Sequence, residues 1–393
     1  MCVLRYFFST NNLTRASDFF RLFRVSRYTV AAGVICALVF SLSSPSVVPK
    51  ISRLGFGALR LSPLNSSSFA SETLSSLVSS GAPYTASVVY LLTTQPLARP
   101  KESISRSLLL LQKNVPWRYQ WPILLFHAGI YDSVDSQSQF LDDIRDAATA
   151  NNVTVEDTDK LIQRIEFVYF RHDLPVGIPA ADDETEYEHV WGGWPGYHHM
   201  CSFFSYKIFK HPRIRDLTYY FRLDDDSFIH EPACFDPVDY MHVNNMSFSF
   251  READGDPYYV TEGMWSYVND YARSHPDVDS RMLSNDWPWE ANRQSMHYGT
   301  DAFFPGYGGN FEIVKLSRFR THDAMAFLDD LASDPHRFYR FRWGDAPLRK
   351  AMVYMFLNVS QETHSMCEVA YTHKEEIAIP NCKCIPLPPR LHE

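Results

Sequence analysis

Leu217-Thr218-Tyr219-Tyr220-Phe221-Arg222-Leu223-Asp224-Asp225-Asp226-Ser227-Phe228-Ile229 runs from an aromatic, apolar segment of strand type straight into three adjacent carboxylates. Like charges side by side repel, so such a cluster at a strand end calls for a cation. In extended chain the side chains alternate faces, which puts Asp224 and Asp226 on one side, roughly 7 Å apart. Oxygens so placed can share a divalent metal, directly or through water, and the metal can grip a diphosphate. Ligands of open α/β sheets bind beyond the carboxyl ends of the strands. An acidic surface turn is the competing reading of the same residues.

Upstream, Ala86 to Leu92 reads as a buried strand, Trp121 to His127 as a second apolar strand and Ile165 to Arg171 as another short strand. Glu102 to Gln112 and Phe140 to Ala148 carry apolar residues at helical spacing. Strand and helix alternating at this interval predict a βαβ sheet of the α/β class with nucleotide-binding capacity. Asp182 to His189 reads as a solvated acidic loop, and Trp191 to Met200 as a turn before a helix from Cys201 to Phe209. His198 and His199 are neighbours whose side chains point apart, so they read as a packed or exposed pair. Downstream, Met246 to Phe250 reads as a strand, Glu262 to Tyr271 as a helix, and Asn285 to Tyr298 as a long loop.

Pro305-Gly306-Tyr307-Gly308-Gly309-Asn310-Phe311-Glu312-Ile313-Val314 comes next, with glycines that permit a tight turn and close approach to a ligand. It matches neither a P-loop nor the dinucleotide fingerprint. On local grounds Glu312 suits a helix dipole as well as acid chemistry. Arg340 to Pro347 introduces a helix reaching about Leu357, with Asp345 placed as its N-cap and Pro347 in the first turn. Glu368 to His373 offers a histidine beyond a short strand.

The 393 residues are 45% hydrophobic, 21% charged and 15% aromatic, and the net charge is −9. That acidity argues against a nucleic-acid partner, which needs a basic surface. Tyr28 to Pro49 carries no charge, and Arg15, Arg21, Arg24 and Arg27 precede it. This reads as a single signal-anchor span over 28–48, with 1–27 as a cytosolic tail. A cleaved signal peptide and a mitochondrial leader are the other readings. Residues 49–83 are rich in Ser, with prolines, and read as a stem before a domain over 84–393. Cys201, Cys234, Cys367, Cys382 and Cys384 lie in that domain, an odd number that leaves at least one free thiol or an intermolecular bond. Disulfide use is expected, without a pairing. Sequons at Asn65, Asn152, Asn245 and Asn358 suit a secretory lumen.

In order and wording these segments resemble the fungal α-1,2-mannosyltransferases of glycosyltransferase family 15. Tyr197 to Phe203 reads Tyr-His-His-Met-Cys-Ser-Phe against that family's Tyr-x-His-Met-Cys-x-Phe. Tyr219 to Asp225 stands where the family has a Tyr-Tyr-x-Arg-Val-Glu-Pro strand end. Asn310 to Ile313 and Arg342 to Pro347 match Asn-Phe-Glu-Ile and Arg-Trp-Gly-Asp-Ala-Pro, and Val369 to His373 echoes the family's closing Tyr-x-His. The likeness is good over roughly 190–385 and only by pattern over 84–190.

The resemblance implies a GT-A-like nucleotide-sugar transferase fold with a mixed central sheet behind an N-terminal membrane anchor. It implies a type II Golgi enzyme with a lumenal domain, transferring mannose from GDP-mannose to the 2-hydroxyl of a mannoside or glycoprotein glycan with retention, and Mn²⁺ as cofactor. By position it makes Asp224, Asp226 and His373 the metal residues, and Tyr197, Arg222 and Trp343 the substrate-binding ones. Glu312 becomes the nucleophile or front-face stabiliser, and Asp345 the acceptor's partner or base. These roles agree with the chemistry, since Mn²⁺ takes oxygen and imidazole ligands and a retaining transfer uses a carboxylate or stabilised ion pair beside the anomeric carbon. The chain departs from the family where Glu-Pro becomes Asp224-Asp225, which leaves Asp224 and Asp226 both open as metal residue. It departs again from Tyr298 to Gly309, which lacks the family's Cys and His and leaves donor and acceptor open. A transferase of another nucleotide sugar and an inactive sugar-binding relative are the alternatives.

Overall fold

Strand β1 (Ala86–Leu92) is buried along its whole length, and its side chains divide between two cores. Val89 and Leu91 enter one, and Val88, Tyr90 and Leu92 the other. A strand covered on both faces reads as a continuous apolar run, which is why this one is so legible. The computed structural model describes residues 81–92, 100–178, 194–287, 303–374 and 382–384.

Beyond β1 come α1 (Pro100–Asn114), β2 (Ile123–His127), α2 (Val134–Ala150), α3 (Val155–Arg164) and β3 (Ile165–Tyr169). The two parallel crossovers place β2 beside β1 and β3 beside β2. Ser133 and Thr154 cap α2 and α3, each accepting a backbone N–H at 3.1 Å. The α3 helix is absent from the expected elements. Its buried positions are Thr158, Leu161 and Arg164, so its inward stripe holds too few apolar residues to register as a period.

The chain then returns past β1. A continuous helical stretch opens with α4 (Gly196–Ser202), widens into a π turn over Phe203–Lys207 and ends at Lys210. Strand β4 (Tyr219–Leu223) lies parallel to β1 on the side away from β2, so strand order reverses between β1 and β4. That reversal is the position at which open α/β sheets bind ligands. After β5 (Ser227–Ile229) come β6 (Phe248–Phe250), β7 (Ala253–Pro257), α5 (Met264–Ser274), α6 (Pro276–Ser284), β8 (Phe303–Tyr307) and β9 (Phe311–Lys315). Toward the carboxyl end lie α7 (His322–Ser333), α8 (Asp345–Phe356), β10 (Thr363–Ser365) and β11 (Tyr371–His373).

The seven-stranded sheet has the order β10-β6-β9-β4-β1-β2-β3. Strand β9 runs antiparallel to both β4 and β6, so the sheet is mixed, as the resemblance implies. Helices α1 to α3 cover one face and α4 to α8 the other, each over its own apolar cluster. Two ribbons stand apart: β5 with β11, and β7 with β8. The expected turn from Pro305 is corrected, because Phe303–Tyr307 is strand and only Gly309-Asn310 turns. The anchor at 28–48, the tail, nearly all of the stem and the acidic loop at 182–189 lie outside the described residues. Among the described residues no helix is long and apolar enough to cross a membrane.

Candidate active site

Strand alternation stops at Leu223. The Ser227 N–H donates to the Asp224 carbonyl at 3.1 Å, closing a tight turn over the three carboxylates. Asp224 and Asp226 therefore do not share one strand face, which corrects the spacing expected from extended chain. Ser227 then opens β5, where it pairs with His373 of β11. That pairing sets His373 Nε2 3.1 Å from Asp226 Oδ1. Burial opposes charge on both groups, but their mutual hydrogen bond and the surrounding opposite charges together outweigh it, raising the imidazole and lowering the carboxyl. Burial, then the charges of Asp226 and Asp224, push Asp225 up to about 7.

Asp224 goes to a different partner. Arg222, the fourth residue of β4, holds Asp224 Oδ1 at 3.1 Å and pairs at its other end with Asp345 Oδ2. Its guanidinium lies 3.5 Å from the Phe204 ring centre and is 2% exposed. Burial alone would lower Arg222, but Asp224, Asp345 and Glu312 together keep it raised and charged. Asp345 is the first residue of α8, while Gly344 occupies the cap position. The expected N-cap role is thus corrected: the Asp345 carboxylate serves Arg222, and it still sits where the helix dipole favours negative charge.

Glu312 lies in β9 directly across from Arg222. It belongs to a strand, so the helix-dipole reading is corrected. Its side chain is 3% exposed, and both oxygens are occupied. Oε1 accepts from Tyr220 Oη at 2.7 Å and Oε2 from Arg349 Nε at 2.9 Å. Arg349 also donates to the Phe204 carbonyl in the π turn at 2.9 Å. The Glu312 carboxylate is thereby held as the counter-ion of Arg349, and these contacts do not themselves assign the nucleophile or front-face role that the resemblance implies.

Tyr197, at the start of α4, is 38% exposed. The Arg342 guanidinium lies 4.5 Å from its ring centre. Trp343 is 3% exposed, donates its Nε1–H to the Glu262 carbonyl at 2.8 Å and packs on Tyr267. It is part of the core, and these contacts do not assign it the place at the substrate that the resemblance implies. Of the packed or exposed pair expected, the structure shows the packed one: His198 Nδ1 donates to the Phe338 carbonyl at 2.7 Å, and His199 Nδ1 shares a hydrogen bond with Tyr339 Oη at 2.8 Å. Asp256 of β7 and Arg349 are the polar residues that sequence reasoning missed. Neither sits in a quoted motif, and Asp256 reaches the others only through the β7–β8 ribbon.

The chemistry of the donor set suits a divalent ion. A carboxylate facing an imidazole, beside further acid groups that repel one another, fits a hard or borderline cation. Asp224, held by Arg222, fits it less well than Asp226. Among the described residues, the group of three acid, histidine and thiol atoms lying within 4.8 Å of one another belongs to Cys367, Glu368 and Cys382, where both cysteines are in a disulfide, and Asp224, Asp226 and His373 do not form such a group. The disulfides are Cys234–Cys384 and Cys367–Cys382, and Cys201 is buried and free. A groove of about 540 Å³ lined by Tyr267, Asp270, Tyr271 and Asp330 contains none of the candidate site residues Tyr197, Arg222, Asp224, Asp226, Glu312, Asp345 and His373.

Comparison with known proteins adds an independent line. The family model described as glycolipid 2-alpha-mannosyltransferase matches residues 181–387. The chain is 27% identical over 186 residues to alpha-1,2 mannosyltransferase KTR1 of Saccharomyces cerevisiae, covering 47% of this chain and 45% of that relative. It is 24% identical over 200 residues to O-glycoside alpha-1,2-mannosyltransferase homolog 2 of Schizosaccharomyces pombe, covering 50% and 52%. The chain therefore spans about half the length of the curated relatives it matches. Its fold is that of the mannosyltransferase Ktr4p from S. cerevisiae, solved with GDP, at TM-score 0.58 and 20% identity, over 77% of this chain and 74% of that one. Core-mannan synthase A of Aspergillus fumigatus, solved in an Mn/GDP form, superposes at TM-score 0.55 and 19% identity, over 78% and 80%.

Proposed function

The chain belongs to the glycolipid 2-alpha-mannosyltransferase family, and on that premise we propose that it transfers mannose from GDP-mannose to the 2-hydroxyl of a mannoside, with retention, in glycan synthesis. The observation that carries this reading is the pairing of Asp226 with His373 beside Arg222, at the carboxyl end of β4 where strand order reverses. Asp226 and His373 are the proposed holders of Mn²⁺, which would neutralise charge on the departing diphosphate. Arg222 supplies a fixed second cation facing the same end of the sheet, and Asp224 and Asp345 hold its guanidinium in place. Asp345 is the proposed acceptor-side carboxylate, taking a hydrogen bond from the attacking hydroxyl. Glu312 acts from behind, through Arg349 and the charge it sets against Arg222. With that carboxylate enclosed, retention is assigned to front-face substitution. The acceptor oxygen bonds to the anomeric carbon as that carbon's bond to the β-phosphate oxygen breaks, and the acceptor proton passes to the leaving phosphate oxygen.

A Golgi type II setting with a lumenal domain is part of the proposal. It is supported by two disulfides and by exposed sequon asparagines at Asn152, Asn245 and Asn358. Sensitivity of the expressed protein to an endoglycosidase tests that placement; an unglycosylated, fully reduced protein removes it. For the reaction, the purified full chain with Mn²⁺ and GDP-mannose is expected to extend methyl α-mannoside. Absence of product together with absence of Mn²⁺-dependent GDP binding overturns the reading.

A further inference from the structure

Arg342 is the anomaly of the cleft. Its backbone is left-handed, with φ at 57°, a conformation that is strained for a non-glycine residue and collects at ligand sites. The residue is 8% exposed, and its Nε is buried without a hydrogen-bond partner among the described residues. Among the described residues the carboxylate it faces is Asp256, whose Oδ2 lies 4.0 Å from Nη1, too long for a hydrogen bond. Buried donors without partners are rare enough to require a reason, and a missing ligand is one. The guanidinium is nevertheless held in position by the Tyr197 ring beneath it. Asp256 is held as well, because it packs on backbone: a Cβ at Gly344 would stand 2.6 Å from Asp256 Oδ2. The pair thus abuts the residue that precedes Asp345, and Asp256 keeps 27% of its side chain exposed.

We infer that Arg342 and Asp256 form a hexose-binding subsite, the guanidinium donating to and the carboxylate accepting from neighbouring hydroxyls of one pyranose. This rests on the proposed sugar transfer and extends it to residues that carry no role there. Charge selects the ligand class. Asp224, Asp256 and Asp345 set three carboxylates against the two guanidiniums of Arg222 and Arg342, so this part of the cleft does not favour a further anion. A neutral polyol can donate to the Asp256 carboxylate and accept from the unpartnered Arg342 Nε without adding charge. A site built on such bonds discriminates strongly, since a sugar lacking the hydroxyl leaves buried polar groups unpaired.

The test uses the full chain and its Asp256→Asn and Arg342→Gln variants, with GDP-mannose, Mn²⁺ and methyl α-mannoside, alongside direct measurement of GDP affinity. A wild type that makes no product removes the underlying reading, and that result is separable from any difference between variants and wild type. With an active wild type, KM for one sugar substrate is expected to rise about tenfold or more in both variants while Kd for GDP stays within about twofold. A rise for GDP-mannose places the hydroxyls on the transferred sugar, and a rise for methyl α-mannoside places them on the acceptor. The matching 3- or 4-deoxy sugar is expected to bring the wild type down to the variants, and the variants are expected to lose little more. Unchanged KM for both sugars overturns the subsite. So does a GDP Kd that climbs with KM, because the guanidinium then faces the diphosphate. Asp256→Asn is isosteric at a partly exposed position, so it reads the outcome even if Arg342→Gln does not fold.

Discussion

A Cβ on Gly309 would stand 2.6 Å from Asp345 Oδ2 and 2.7 Å from Arg222 Nη1. Neither neighbour is the free end of a mobile chain, since the two are paired with each other. Gly309→Ala is therefore expected to cost about 1–3 kcal/mol of overpacking and to lower transfer more than tenfold, by moving Arg222 off the cleft. Urea unfolding and turnover check the two halves, and wild-type turnover would show the pair to be idle. Glu312→Gln addresses the enclosed carboxylate. It leaves the Arg349 charge buried opposite neutral groups, a change that costs about 3–5 kcal/mol in comparable pairs. Turnover per folded molecule is expected to stay within about tenfold. A loss of a thousandfold at unchanged stability would return Glu312 to direct contact with the sugar. The acids of this cluster are legible because each sits inside a motif, whereas Arg349 and Asp256 matter only through partners distant in the chain.

The helix that begins at Gly196 shows how much an element depends on what it packs against. His198 and His199 lie in its first turns, 1% and 3% exposed. Burial pushes His198 down to about 4 and His199 down to about 3. Their folded values lie below the ordinary 6.5, so the unfolded chain binds more protons than the folded one between pH 6.5 and about 4. Stability is expected to fall as pH drops through that window. In His198→Gln, the slope of the urea midpoint against pH is expected to be shallower; an unchanged slope would acquit this histidine. Strands β1, β2 and β6 were visible as apolar runs because they lie inside the sheet, and β3, its half-buried edge strand, was visible as a shorter one. Helix α3 was not, having few apolar residues on its inner face, and β8 was hidden by Pro305 and Gly306. Its partner β7 and the Ala346–Pro347 backbone, 3.3 Å from where a Gly306 Cβ would stand, accept those residues in a strand.

Across the molecule, two disulfides join segments that the sheet alone does not connect. Cys234–Cys384 spans 150 residues and Cys367–Cys382 spans 15, the latter enclosing the β11 strand that carries His373. By loop length they restrict the unfolded chain by about 5 and about 3 kcal/mol. Reduction is expected to lower the melting temperature and, with Cys367→Ser alone, to weaken Mn²⁺-dependent GDP binding by loosening His373. Calorimetry with and without reductant checks the first, and an unchanged melting temperature would show the bonds to be marginal. The free thiol of Cys201 is buried, and burial raises it well above the ordinary thiol range, so it is expected to resist alkylation until the protein unfolds.

The α/β class, the inner strands and the residues from which the cleft is made were all present in the chain as written. Apolar runs and motifs are local, and their physical cause, burial on both faces of a sheet, acts residue by residue. The partners of each acid were not. Asp224 and Asp226 differ by two positions, yet one faces Arg222 and the other His373, because a turn replaces the strand at Leu223 and the β5–β11 ribbon brings in the histidine. Glu312 is enclosed because Arg349 comes up from α8 and Tyr220 from the neighbouring strand. Which carboxylate holds a cation, which is open to a sugar and which is sealed depends on contacts between elements far apart in sequence, and those form only when the layers close.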